Sequence, residues 1–587
     1  MSTFGMGPAT TPPVVGYGGS RSGVTHVHGG FDDRAIAAAQ TRMESARSGF
    51  DSLRGEIADL VLPAAGGFNG EWASQGRVQT NAQYDEYAAL ALQDGVSTFE
   101  GFVMPRGQKW QRMRMLDQRI MESVAVQQWF EAKEDLIFGM RNDPKSGFTT
   151  AVHASAESLF AFGEQSMWCD RRFDGWGRFV GLSYQSEHIG GIWVELDAEG
   201  NPMRVHRKFT LSAEQASAKW QDRCPPAVRT AMSDRMGTGQ HRGSEPFTFL
   251  HVIERNPRVV PGRIDAAGMP WRACYYSERD KQGDRVFLTG GYRTLRRIVS
   301  HFARSHNESY GRGPAGSVLP AIRASQVMMQ DRVLATEMAV KRPLLAPSDD
   351  LDQAIIALGP WGITYGGLDE RGEAQLKPLF DGIDLNGAAE LHAEVHAVID
   401  KAFYRDLMQL NREYKTHIPA ARIMEETGEK GILLSPLARQ EGSWFAPLLE
   451  CEIDLLWEEG FLDDMPPMLA EAIEGGAGLH IVYDNLLTQM MEATEAAAYL
   501  RTGEQVASVA QFDPGAVQVF TREYPLEKVI PGLGRANGIP ARWRATEEEK
   551  AARDEADAQQ AQVAQLLQAA PVLADAAKNA AQAGAMQ

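Results

Sequence analysis

Residues 310–343 read YGRGPAGSVLPAIRASQVMMQDRVLATEMAVKRP. From 315 to 341 no Gly or second breaker interrupts beyond Pro320 and Gly316, and Arg342-Pro343 stops the run, since the residue before Pro is pushed out of helical geometry. A long helix over 315–341 is predicted. The next stretch, 342–385, contains Gly359-Pro360-Trp361-Gly362-Ile363-Thr364-Tyr365-Gly366-Gly367 and reads as a small β element. Helix returns over 386–410.

Upstream, Ile36, Met43, Phe50 and Ile57 fall seven apart and Ala39, Ala46, Leu53 and Leu60 fill the second seam, before Pro63 ends the pattern. That predicts a helix over 32–62 with one apolar stripe, compatible with a packed long helix or an ordinary core-facing one. A second helix is predicted near 81–103. Between 148 and 300 the period changes: Ile192–Leu196, Phe247–Ile253 and Arg285–Leu288 are short β-type runs, separated by turns such as Asp197-Ala198-Glu199-Gly200-Asn201-Pro202. A short helix at 212–222 interrupts them. The fold class expected is α+β, predominantly helical, with antiparallel strands. A kinked helical tract follows over 419–462, with breakers at Gly428 and Pro436. The Ala-rich 541–587 favours helix by propensity, without an evident packing partner.

Composition bounds the function. The chain has 587 residues, 43% hydrophobic and 23% charged, so most of it is expected to fold, in several parts. No apolar run reaches the ~20 residues that a membrane helix needs. Residues 1–30, rich in Gly, Pro, Ser and Thr, read as a disordered arm. Cys169, Cys224, Cys274 and Cys451 have no paired spacing, so neither a disulfide framework nor a thiolate zinc site is expected. A net charge of -18 opposes a surface that grips DNA throughout, yet suits one that encloses DNA without adhering to it. Between Pro419 and Pro467 acids outnumber bases, 11 to three, which reads as a solvated helix face or, if repeated around a lumen, a negative wall.

No phosphate loop, H-E-x-x-H or G-x-S-x-G occurs. His301 and His306 are five apart, a poor spacing for one helix face, and His241 and His251 are isolated. No catalytic, cofactor or metal residue is expected. An intracellular metal-binding enzyme using the histidines near 301–306 stands as the alternative class.

Several segments, read in order, carry a resemblance. They are Leu60-Val61-Leu62-Pro63, Tyr84-Asp85-Glu86-Tyr87-Ala88, and Phe102-Val103-Met104-Pro105 closing on Lys109-Trp110. Ser183–Ile189, Val205-His206-Arg207 and Thr210–Gln215 follow, then Tyr310–Pro314, Ile418–Ile423 and Ile539–Glu549. This succession resembles the portal (head-to-tail connector) proteins of short-tailed bacteriophages (podoviruses). It departs at Arg106, where a second Pro is usual, and at Ala421-Arg422, where Thr or Glu is.

The resemblance implies a structural, non-enzymatic ring protein of the virion, at the portal vertex of the capsid and assembled in the host cytoplasm, with no cofactor. It implies a homo-oligomer of roughly twelve copies with double-stranded DNA in its channel. The implied partners are the terminase motor, a tail adaptor protein, and the major capsid and scaffolding proteins, with no membrane. Another ring-forming virion protein, such as a tail adaptor, is a further alternative, which fits the length and the helix–insert–helix order less well. Segment by segment, it implies a wing (31–314), a two-helix stem (315–341 and 386–410), and a β clip (342–385). A tunnel loop (411–418), a long wing helix with its connection (419–484), a helical crown (485–570) and a disordered tail (571–587) complete it. Arg412, Lys415 and His417 become candidate DNA contacts, and Trp361 and Tyr365 candidate clip-interface residues.

Overall fold

The structure is a computed structural model. It describes residues 30–68, 83–107, 109–233, 242–281, 285–306, 308–341, 386–405, 439–475, 479–483, 486–510 and 515–536, with isolated residues and short pieces near 344–345, 377–378 and 543–560. The fold is α+β, with more helix than strand, and divides into two compact units.

The larger unit holds 18–102 and 144–454. Its first helix, Asp33–Val61, starts on Asp32, whose carboxylate accepts from the Arg34 amide, and ends ahead of Pro63. Ile36, Ala39, Met43, Ile57 and Leu60 are buried, as the apolar stripe predicts. Ala46 is exposed and Phe50 and Leu53 only half-buried. The line that replaces them is polar: Gln40, Arg47 and Arg54, also seven apart, are buried. The periodicity was therefore legible, but the seam is partly ionic.

Each of these three groups finds a partner. Gln40 Oε1 lies 2.9 Å from His206 Nδ1. Arg47 donates to the carbonyls of Ile189 (3.1 Å), Gly190 (2.6 Å) and Ile192, pairs with Asp51, and lies 4.1 Å over the Trp193 ring. Arg54 donates to Glu164 at 2.8 Å and sits over the Phe50 and Tyr310 rings.

Two antiparallel sheets carry the β part. In the three-stranded one, Glu164–Phe173 runs between Phe179–Ser186 and Arg297–His301. The five-stranded meander follows chain order: Ile192–Leu196, Pro202–Ser212, Pro246–Arg255, Trp271–Ser277 and Val286–Tyr292. The predicted turn joins the first two, with the Asn201 amide donating to the Asp197 side chain and Gly200 at φ +86°. The predicted helix appears as Ala213–Trp220, closed by a capping box between Ser212 and Gln215. It drops Trp220 onto Phe249, Tyr275 and Phe287, a core of edge-to-face aromatics.

Between these sheets runs a buried ionic line. Glu187 accepts from Arg297 (2.6 and 3.3 Å) and pairs with Arg207 (2.8 Å). Arg297 also reaches His251 Nδ1 at 3.1 Å, and the His251 ring stacks on Tyr275. Burial, reinforced by Arg297, Lys219 and Arg207, holds His251 well below its ordinary pKa, so it is a neutral core histidine.

Gly163 closes the Phe148–Phe162 helix at φ +83°. A Cβ there would overlap the Arg312–Gly313 peptide, so only glycine permits this close approach. A π-helical turn, Glu441–Phe445, buries Trp444 and Phe445 against Phe99. The acids beyond it do not all form a solvated face. Glu452 is fully buried and accepts from the Tyr184 hydroxyl at 2.6 Å, and buried Asp454 accepts from Thr294. Part of the predicted acidic wall thus turns inward, because local polar groups reward it there.

The smaller unit holds the described residues of 103–143 and 455–560. Gln111–Met115 pairs antiparallel with Leu479–Tyr483, Met113 opposite Ile481. Neither strand was expected, since each is short and its partner lies far along the chain. The Val124–Asn142 helix packs beside them. Its Glu134 accepts from the Met113 amide at 2.7 Å, and burial pushes that carboxyl up to about 7. Helices Leu486–Val509, Gly515–Glu523 and Leu526–Ala536 occupy the predicted crown range, where Tyr499, Phe520 and Tyr524 cluster. Residues 1–29 of the predicted arm (1–30) and most of the Ala-rich tail lie outside the described residues, as do the kink positions Gly428 and Pro436.

Candidate functional site

The helix–insert–helix pattern is present. The first helix is Leu319–Val340, with Pro320 in its first turn and a separate short turn, Pro314–Ser317, before it. The second is Asn386–Ala402, shorter than the predicted 386–410. Tyr404 adopts φ +60°, which few side chains tolerate, and the Arg405 amide turns back to the Asp400 carbonyl. Arg405 then pairs with Asp94 (2.7 Å) and Asp400 (3.4 Å), fixing that end. Of the insert, Leu344–Leu345 pairs antiparallel with Lys377–Pro378.

The two helices pack on one another but bury little of themselves. In Leu319–Val340 the buried residues are Leu319, Ile322, Ser325 and Gln326, all in the first two turns. Beyond them Val327, Val333, Leu334, Met338 and Val340 are exposed, as are Leu391 and Val398 on the second helix. Val333 keeps 55% and Leu334 49% of its surface accessible. A helix with apolar residues around its whole circumference is normally covered on all sides. This one is buried at its base, and beyond it several apolar side chains are exposed among polar ones such as Gln330, Asp331 and Glu337.

At the anchored base, side chains from three segments converge. Asp85, just ahead of the Tyr87–Val103 helix, meets Ser325 from the first helix and His392 and His396 from the second. Asp85 Oδ2 lies 3.1 Å from His392 Nε2 and 2.8 Å from His396 Nε2, and accepts from the Ser325 hydroxyl. Ser325 Oγ is itself 3.0 and 3.3 Å from the same two nitrogens. Burial raises the Asp85 pKa, but the bonds from Ser325, His396 and the Tyr87 amide outweigh it, so the carboxyl lies below its usual value and is ionised.

The surroundings hold these groups in place. Gln326 Oε1 accepts from the amides of Tyr84 and Asp85 (2.7 and 2.9 Å), and its Nε2 donates to the Asp85 carbonyl at 2.6 Å. Asp85 Oδ1 accepts from the Tyr87 amide. The Tyr87 ring lies parallel to His396 at 3.6 Å, and its hydroxyl donates to Asp400 at 2.6 Å. Among the described residues, this is the set of His, Cys, Asp or Glu side chains that could share one ion.

The histidines weighed from sequence do not gather. His301 ends a strand, His306 sits in a turn and His251 in the ionic core, while His241 lies outside the described residues. The spacing that mattered was His392-x-x-x-His396, two rings on one helix face, which sequence reading passed over. Its partner Asp85 carried no signal, being some three hundred residues away. The candidate DNA-contacting residues Arg412, Lys415 and His417, and the candidate clip residues Trp361 and Tyr365, all lie outside the described residues. Among those described, no helix is long and apolar enough to cross a membrane.

Over residues 33–544 the chain matches a family model described as bacteriophage head to tail connecting protein. No curated protein matches it.

Proposed function

The chain belongs to the bacteriophage head to tail connecting protein family, a structural component of the virion, and from that premise we propose that it is the portal subunit. In this reading several copies close into a ring at one capsid vertex, double-stranded DNA passes through the central channel during packaging and ejection, and no catalysis is required of the ring itself. ATP hydrolysis belongs to the terminase motor, which docks on the ring and is later replaced by the tail adaptor. The capsid and scaffolding proteins contact its outer rim.

The observation that supports this best is the exposure of apolar side chains along the Leu319–Val340 helix, with Leu391 and Val398 beside them. Copies arranged around an axis cover such faces on each other, and cyclic closure leaves none over. The two helices are then the stem, the insert between them the clip, and 485–570 the crown. Negative charge repeated around the axis weakens phosphate contact, which lets DNA slide.

Within the same reading 411–418 projects into the channel, with Arg412, Lys415 and His417 holding DNA where the bore is narrowest, and Trp361 and Tyr365 anchor the clip's partners. The test is the double variant R412A/K415A. Rings are expected to assemble normally while packaged-genome yield falls. A normal yield would remove the loop from the account.

A further inference from the structure

We propose that Asp85, His392 and His396 form a binding site for a divalent transition-metal ion of the zinc type, tying the base of the Leu319–Val340 and Asn386–Ala402 helices to the segment before Tyr87. This proposal stands apart from the portal reading, since it concerns one subunit.

The geometry points to it. Ligands about 2.0–2.1 Å from a tetrahedral ion stand about 3.3 Å from one another. Asp85 Oδ2 and the two Nε2 atoms are 2.8 and 3.1 Å apart, and Ser325 Oγ is 3.0 and 3.3 Å from those nitrogens. Asp85 Oδ2 and the two Nε2 atoms therefore face one point at nearly the spacing an ion would set, with the Ser325 hydroxyl bonded to Asp85 beside them.

The ligand types select the ion. Two imidazoles disfavour magnesium and calcium, which take oxygen, and suit zinc. His392 is buried, and Ser325 and the parallel Tyr87 ring lie alongside. Asp85 and the two imidazoles supply three ligands from one helix and the segment ahead of another, and leave a fourth position open. The supporting contacts are those a metal site needs: Asp85 is clamped by Gln326 and by the Tyr87 amide, and His396 is fixed by Tyr87, itself bonded to Asp400. Binding through Nε2 requires the proton of each ring on Nδ1. His392 Nδ1 is 3.5 Å from Arg332 Nη1, the outer limit of a hydrogen bond, so placing the proton there costs only a weak contact.

The test uses the untagged full-length chain, stripped with chelator, and Zn2+ or Co2+ as the probe. Calorimetry is expected to give one Zn2+ per chain with a Kd of about 1 µM or tighter, and Co2+ to give the visible absorption of a tetrahedral site. H396Q, whose ring is partly exposed and whose loss the fold should survive, is expected to weaken binding at least tenfold. H26Q/H28Q, removing the His-x-His pair of the N-terminal segment, is expected to leave it unchanged. Zn2+ should raise the thermal midpoint of the parent chain and not that of H396Q. Absence of stoichiometric binding by the folded parent would overturn the proposal. So would binding that survives H396Q or is abolished by H26Q/H28Q.

Discussion

Replacing Arg54 by Met removes a buried charge while keeping most of the side chain's volume. In the folded chain the guanidinium donates to Glu164 at 2.8 Å, both side chains are almost wholly buried, and Glu164 also accepts from the Gly311 amide at 2.9 Å. Desolvation already raises the Glu164 pKa, and Arg54 is the main group that lowers it again. Without Arg54 the carboxylate is buried with one backbone donor for company. Breaking such a pair costs about 3–5 kcal/mol, because the orphaned charge, not the lost attraction, dominates. Hydrogen exchange of peptides covering 33–61 and 164–173 reads this directly, the loss appearing as a roughly 10²–10⁴-fold drop in protection. R54M/E164Q, with no charge left to strand, should recover most of it. The pH dependence gives a second signature. A carboxyl with a raised folded pKa binds its proton more tightly in the folded chain, so the R54M defect should shrink as pH falls towards that value. R54M protection within tenfold of the parent, or a double variant as damaged as R54M, would refute the reasoning.

Other expectations are as direct. Glu134, near 7 in the folded chain against an ordinary 4.5, should make the smaller unit lose stability as pH rises between those values; E134Q should flatten that slope in a urea titration. G163A forces a left-handed conformation on a residue with a Cβ and overlaps the Arg312–Gly313 peptide, so a loss of at least ~2 kcal/mol in chemical unfolding is expected. V333E/L334E places charge on the bare face of the Leu319–Val340 helix; it should leave circular dichroism unchanged while moving the mass distribution towards single subunits.

What sequence revealed depended on the range of the interaction. Helices with a local signature were found close to their bounds: Asp33–Val61 from its stripe and Pro63, Ala213–Trp220 from Ser212, and Leu319–Val340 from the Pro343 stop. Three of the five meander strands were legible from β-type runs and turn residues; Trp271–Ser277 was not, and the strand order was not predicted. Features decided by distant partners were not. Arg47 and Arg54 look like surface residues until the carbonyls at 189–192 and Glu164 arrive. Glu452 and Asp454 looked solvated until Tyr184 and Thr294 claimed them. The early end at Ala402 follows from Tyr404 and the Arg405–Asp94 pair, which no helix propensity encodes. The Asp85 cluster was half visible, in the spacing of His392 and His396, and half hidden in Asp85 and Ser325.

The central claim is that this chain works only as a closed ring, and the mass of the purified particle tests it most directly. Native mass measurement with negative-stain imaging is predicted to give one species of roughly 770 kDa, about twelve copies of a 64.5 kDa chain, ring-shaped with an open centre. A compact monomer or dimer at the same concentration, with the apolar face of Leu319–Val340 still accessible to a hydrophobic dye, would contradict it.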